Sequence, residues 1–271
     1  MLKTRVKTAA VLIALLIVLV CFSYVPYVMN SFVALISVLG IYELYKVTGN
    51  IKKLVPFIIS ELLALAISFI KIPFYNEILA VCFPIAVIAF LLLMKVFGKY
   101  TLDKWYKIFP IALMIPLFYN SFTVLRFLDN GLYYLALFAL VCMISDTGAY
   151  FVGRAIGKHK LAKTVSPKKT IEGSIGGMVS AMVVIVVAAI IVDNVTPLSV
   201  NYVFLVIYTL IASVIEQIGD LSMSVIKRVV GVKDYSNLMP GHGGILDRFD
   251  SYMFAAPFTL IFYTFVNTIL K

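Results

Sequence analysis

Nine apolar runs divide this chain, and each is about as long as a bilayer is thick. They fall at about 8–25, 28–45, 54–70, 77–94, 107–125, 131–152, 173–192, 200–222 and 251–270. A transmembrane helix needs roughly 20 predominantly apolar residues. Nine spans therefore use about 180 of the 271 residues and leave no room for a separate soluble domain. Composition agrees: 62% of residues are AVILMFWYC and 13% are charged, against about 45–50% and about 25% in soluble domains. A mean hydropathy of +1.04 excludes a soluble or disordered chain. An outer-membrane barrel would alternate polar and apolar residues and dilute that value. The expected fold is all-α, a polytopic membrane helical bundle with its N-terminus cytoplasmic. Five spans are expected in 1–130, and a catalytic region of four in 131–271. The first run follows Lys3, Arg5 and Lys7 but is long and lacks a small-residue cleavage site, so a retained span is expected. Cys21, Cys82 and Cys142 lie far apart in apolar runs and read as small core residues.

The net charge of +10 has a topological explanation. With the N-terminus inside, only Lys71, Arg126 and Lys271 of the 23 Lys and Arg residues fall on the outer side. That is the positive-inside bias of an inner membrane, and no nucleic acid is needed to account for it. Two segments outside the spans are long and rich in chemistry, 153–172 and 223–250. Both are expected on the cytoplasmic side, at one end of the bundle. No P-loop, helix-turn-helix or zinc pattern occurs.

Acidic residues sit where a bilayer disfavours them. Asp146 ends the sixth run, and Glu216 and Asp220 lie in the eighth. A carboxylate in a span costs a few kcal/mol and normally faces the bundle interior with a partner. Glu216, Asp220, Ser224 and Lys227 fall three or four apart, which makes one polar stripe on a helix. Asp247 and Asp250 share a face at the start of the ninth span. Hard carboxylate oxygens suit Mg²⁺, usually through one or two carboxylates plus substrate phosphates. The competing reading makes these acids structural partners of loop lysines. Glu43 and Glu61 lie near no motif and are expected to be structural or without an assigned role.

The loops carry cations beside glycines. Ser166, Pro167, Lys168, Lys169 and Thr170 precede the seventh span. Paired lysines at a helix N-terminus make a phosphate site, although such lysines also serve headgroup contact. The second segment holds Lys227, Arg228 and Lys233, then the turn Pro240, Gly241, His242, Gly243, Gly244, then Asp247, Arg248 and Asp250. These are the parts that hold a metal-bound polyphosphate. His242 reads either as a hydrogen-bonded turn residue or as a catalyst, and His159 reads as solvated or facing headgroups. Gly173, Gly176 and Gly177 are expected to let helices pack closely.

Ser224, Lys227, Arg228, Lys233, Asp234, His242, Gly243, Gly244, Asp247, Arg248 and Asp250 together resemble the signature of the phosphatidate cytidylyltransferase (CDP-diacylglycerol synthase) family. The stretches SDTGAYFVGRAIGK and SPKKTIEG are similar to that family too, and Met239 is a mild departure. The resemblance implies a reaction in which CTP and phosphatidic acid give CDP-diacylglycerol and pyrophosphate at the cytoplasmic membrane boundary. Asp220 and Asp247 are then first-choice metal ligands, supported by Asp250 and Asp146. Lys168 and Lys169 act in catalysis beside these acids, and Ser166, Lys227, Arg228, Lys233, His242, Gly243, Gly244 and Arg248 bind substrate. Mg²⁺ is the implied cofactor, with K⁺ as a second cation. The implied partners are CTP, phosphatidic acid, the lipid bilayer and a second copy in a homodimer. Two rivals share parts of this site: a CTP-dependent polyprenol or dolichol kinase, and a cation-coupled transporter. The transporter needs polar access from both faces, and this chain is polar-rich on one.

Overall fold

The computed structural model describes residues 11, 14, 15, 17–95, 101–266, 269 and 270. Among them the long helices are α1 (Val28–Val47), α2 (Leu54–Phe69), α3 (Tyr75–Lys95), α4 (Trp105–Arg126), α5 (Gly131–Ile156), α6 (Ile171–Val195), α7 (Tyr202–Val229) and α8 (Leu246–Val266). Between α5 and α6 runs an antiparallel hairpin, β1 (Lys160–Ala162) and β2 (Ser166–Thr170), with Lys160 opposite Thr170. The architecture is all-α and polytopic. Seven helices are long and apolar enough to cross a membrane by length and composition. The exception is α2, whose 16 residues reach about 24 Å, short of a hydrocarbon core of about 30 Å. Of the expected span at 8–25, residues 8–10, 12, 13 and 16 lie outside the described residues, and residues 17–22 are helical.

The buried core runs through α1, α4, α7 and α8, where Tyr45, Phe118, Tyr119, Tyr208 and Phe254 are fully enclosed. Phe254 of α8 is the hub: its ring meets Phe83, Phe90 and Phe118 at 6.2, 5.8 and 5.7 Å between centroids, in tilted or edge-on geometry. Offset and edge-on pairs are favoured by the ring quadrupoles. Much of the apolar surface of α3 and α6 is turned outward, as lipid-facing helices require.

Three local features position the site. First, α5 and α6 pack backbone to backbone. A Cβ at Gly177 would lie 2.5 Å from the Ser145 carbonyl, and one at Gly173 would lie 2.7 Å from the Ala149 carbonyl. The glycines that open α6 therefore serve packing. Second, Thr170 caps α6, its hydroxyl accepting from the Gly173 N–H at 3.1 Å. The strand that carries Lys168 and Lys169 is thereby fixed to the start of a helix. Third, α7 buries its polar stripe. Its hydroxyls bond back within the helix, Thr209 to the Leu205 carbonyl and Ser213 to the Thr209 carbonyl, so they ask nothing of the bilayer. The stripe then delivers Glu216, Asp220, Ser224 and Lys227 to the end where the hairpin sits.

Candidate active site

Three pieces of chain meet at one end of the bundle: the hairpin, the last turns of α7 and the turn leading into α8. Arg228 ties them together. Its Nε donates to the Val165 carbonyl at 3.1 Å and one terminal nitrogen donates to the Val232 carbonyl at 2.8 Å. Beneath it, Val165 packs against Leu221 and Val225. The two segments expected to converge, 153–172 and 223–250, do so.

Two lysine–aspartate pairs form the centre. Lys169 Nζ lies 2.5 Å from Asp220 Oδ2, with the two side chains 25% and 24% exposed. The other Asp220 oxygen accepts from the Ser224 hydroxyl at 3.2 Å. Burial works against a charge on Lys169, but Asp220 outweighs it and holds the ammonium above the ordinary lysine range. The second pair joins Lys227 Nζ to Asp247 Oδ1 at 2.7 Å, with side chains only 9% and 3% exposed. Asp247 Oδ2 also accepts from the backbone N–H groups of Tyr235 and Gly244, at 2.8 and 2.9 Å. Three of the roughly four acceptor positions of Asp247 are thus engaged. Lys227 further sits 5.4 Å from the Tyr235 ring centre. Tyr235 donates its hydroxyl to the Met223 carbonyl, and burial, reinforced by Asp247, pushes its pKa far above the ordinary tyrosine value.

The glycine turn is shaped by carboxylates. Gly241 and Gly243 adopt φ of +80° and +85°, a region that costs other residues about 1–2 kcal/mol. A Cβ at Gly243 would stand 2.9 Å from Asp247 Oδ2. At Gly244 the equivalent space is filled by the carboxylate of Glu43. So the groups in close approach to these glycines are the protein's own carboxylates. This corrects the expectation that Glu43 lies near no motif. Glu43 is 1% exposed and accepts from the Ser236 hydroxyl and from the N–H groups of Ile245 and Leu246, at 2.6, 2.9 and 3.0 Å. It caps α8 from another helix, where orphan N–H groups and the helix dipole both favour an anion. Glu61, the other unassigned acid, lies away from the site, its two oxygens buried without a hydrogen-bond partner among the described residues.

The remaining acids gather around the first pair. Asp146 of α5 is within electrostatic range of Lys169, Asp220 and Arg248. Asp250 is buried near Asp220 and Lys227, and accepts from the Ser251 N–H. Glu216 is fully buried one turn below Asp220. His242 presents a buried Nδ1 with no partner among the described residues. Ser166 is half-buried at the start of β2, while Lys168, Lys233 and Arg248 are exposed. A cavity of about 350 Å³ opens beside Lys169, lined by Asp146, Tyr150, Arg154, Lys168, Ser174 and Gln217 among others.

For a metal, no three Asp, Glu, His or Cys side chains converge as a ready cage among the described residues. What is present is a pair of aspartates, Asp220 and Asp247, each holding an ammonium at 2.5–2.7 Å. That donor set fits an ion held by one or two carboxylates with substrate oxygens completing the shell. Each aspartate would exchange its lysine for the ion.

The sequence matches the model of the cytidylyltransferase family over residues 3–266. It is 44% identical over 179 residues to the phosphatidate cytidylyltransferase of Bacillus subtilis (strain 168), covering 64% of this chain and 65% of that one. It is 48% identical over 129 residues to the phosphatidate cytidylyltransferase of Staphylococcus haemolyticus (strain JCSC1435), covering 48% of each. The matched stretches span about two thirds and about half of these relatives. The chain belongs to the cytidylyltransferase family.

Proposed function

We propose that this protein is a phosphatidate cytidylyltransferase of a bacterial inner membrane, converting CTP and phosphatidic acid into CDP-diacylglycerol and pyrophosphate on the cytoplasmic side. The observation that carries the reading is the pair of lysine–aspartate contacts at one end of the bundle, Lys169–Asp220 and Lys227–Asp247. Two anionic substrates need cations that can be handed over, and these pairs hold two of them beside acids that can take a metal. The named relatives and the basic loops support it.

In the reaction a lipid phosphate oxygen forms a new bond to the α-phosphorus of CTP. The bond from that phosphorus to the β-bridging oxygen breaks, and its electron pair leaves on pyrophosphate. Repulsion between the two anions dominates the barrier. Asp220 and Asp247, supported by Asp146 and Asp250, would hold Mg²⁺ by exchanging their lysines. The bound ion supplies charge neutralisation and in-line alignment. Lys169 and Lys227, once released, move onto phosphate oxygens, with Lys168, Lys233 and Arg248 at the rim. Arg228 keeps the two loops together, and His242 is poised to donate to substrate. No protein nucleophile is needed.

The test is pyrophosphate release by the purified protein in detergent with phosphatidate, CTP and Mg²⁺, against omission of lipid, addition of EDTA, and Asp220→Asn. Release that requires both substrates and the metal, and is lost in the variant, is expected. CDP formation on a polyprenol acceptor would instead assign a lipid kinase.

A further inference from the structure

We infer that the cavity between α5, the hairpin and the start of α6 is the phosphate subsite for the membrane lipid, and that Arg154, to which no role has yet been given, holds the phosphate at its mouth. This rests on the reading above and divides its cations between the two substrates. On α5, Asp146, Tyr150 and Arg154 lie four apart, so one face runs from the inner end of the cavity to its rim over about 12 Å. Arg154 of α5 and Lys168 of β2 both line the cavity, and both are exposed. At the inner end, Lys169 is already paired with Asp220. Arg154 makes one bond in the structure, to the Tyr150 hydroxyl at 3.2 Å, which leaves most of its planar fork free. That fork matches phosphate geometry.

What selects a lipid over the nucleotide is the surface around the mouth. Tyr150, Phe151, Ile171 and Ile175 are 59%, 63%, 43% and 56% exposed. They are exposed apolar side chains of α5 and α6, the helices that also contribute Arg154, Gly173 and Ser174 to the cavity lining. A phosphate bound by Arg154 and Lys168 would keep its acyl chains against those side chains without crossing polar protein. A nucleoside triphosphate there would set its base or its outer phosphates against the same apolar surface. Asp146, the one carboxylate among the cavity's lining residues, lies two turns inward, in the surroundings of Lys169 and Asp220.

The experiment is steady-state kinetics in mixed micelles, varying the surface fraction of phosphatidate at saturating CTP and then the reverse. The proteins are wild type, Arg154→Gln and Arg154→Lys, each first checked for an unchanged melting temperature. Loss of one charged phosphate contact is expected to raise the KM for phosphatidate about tenfold. The KM for CTP and kcat stay within about twofold, and Arg154→Lys recovers part of the loss. A rise in the KM for CTP, or no change in either, overturns the assignment. Calorimetric binding of dioctanoyl phosphatidate without nucleotide, with CTP and inorganic phosphate as competitors, gives a second reading. If phosphatidate binds in an Arg154-dependent manner but no pyrophosphate is ever released, the proposed reaction fails and the subsite stands. If pyrophosphate is released and Arg154→Gln binds lipid as wild type does, the subsite fails and the reaction stands.

Discussion

The two lysine–aspartate pairs use the same residue types at nearly the same distance, yet their surroundings give them different work. Lys169–Asp220 is about a quarter exposed and opens on the cavity. Lys227–Asp247 is nearly sealed, and Asp247 also holds two backbone N–H groups of the turn. A partly solvated ion pair contributes about 1 kcal/mol or less. Breaking a buried one by removing a single partner costs about 3–5 kcal/mol, because it strands a charge. The first pair can therefore open during turnover at little expense to the fold. The second fastens the turn and can exchange its lysine only for another cation.

The sharpest way to break this comparison is to neutralise one aspartate at a time. Asp247→Asn is expected to lose activity by about 10²–10³-fold and to melt several degrees lower, since Lys227 is left buried and unpaired. Asp220→Asn is expected to lose a similar share of activity with a change in stability of about 1 kcal/mol or less. Pyrophosphate release and thermal unfolding of the two variants, measured in one detergent, decide it. Equal destabilisation would mean that burial does not separate the pairs.

Glu43 extends the contrast to the other half of the chain. Glu43→Gln keeps an acceptor for the N–H groups of Ile245 and Leu246 but removes the charge at the start of α8. A loss of about 1–2 kcal/mol is expected, with activity down about tenfold as the turn loosens. Glu43→Ala, which strands three donors, is expected to cost about 3 kcal/mol or more. If both variants match wild type in turnover, the turn keeps its shape without α1.

Much of this was legible in the chain, and what was not follows one rule. The apolar runs announced the helices because a bilayer leaves few alternatives. The stripe Glu216, Asp220, Ser224 and Lys227 announced its helix face because spacing along one helix is local information. The pairing of Lys169 with Asp220 and of Lys227 with Asp247 was not legible, since many arrangements of the same charges satisfy the same spacings. Glu43 was missed for the same reason. Its partners lie about 200 residues away, and two of the three are backbone groups, which carry no side-chain signature. The signal that could have found it was present: an acid inside an apolar run, which must meet a donor somewhere. The side chains that fill the space beside Gly243 and Gly244, those of Asp247 and Glu43, were likewise not legible from spacing.

The smallest expected effect tests the softer of the two loops. The hairpin is closed at its base by Glu172, which accepts from the N–H groups of Lys158 and His159 and meets His159 Nδ1 at 2.6 Å. The His159 side chain is 75% exposed, so its share of that clamp competes with water. The backbone bonds to Glu172 survive any change at the imidazole. His159→Gln is therefore expected to shift stability by about 0.5 kcal/mol and activity by less than about twofold, read by the same melt and the same pyrophosphate assay. A tenfold loss of activity with an unchanged melt would mean that the hairpin must be held as firmly as the glycine turn. Lys168 and Lys169 would then be presented by a rigid strand, and the opening of the Lys169–Asp220 pair would have to come from movement of the lysine side chain alone.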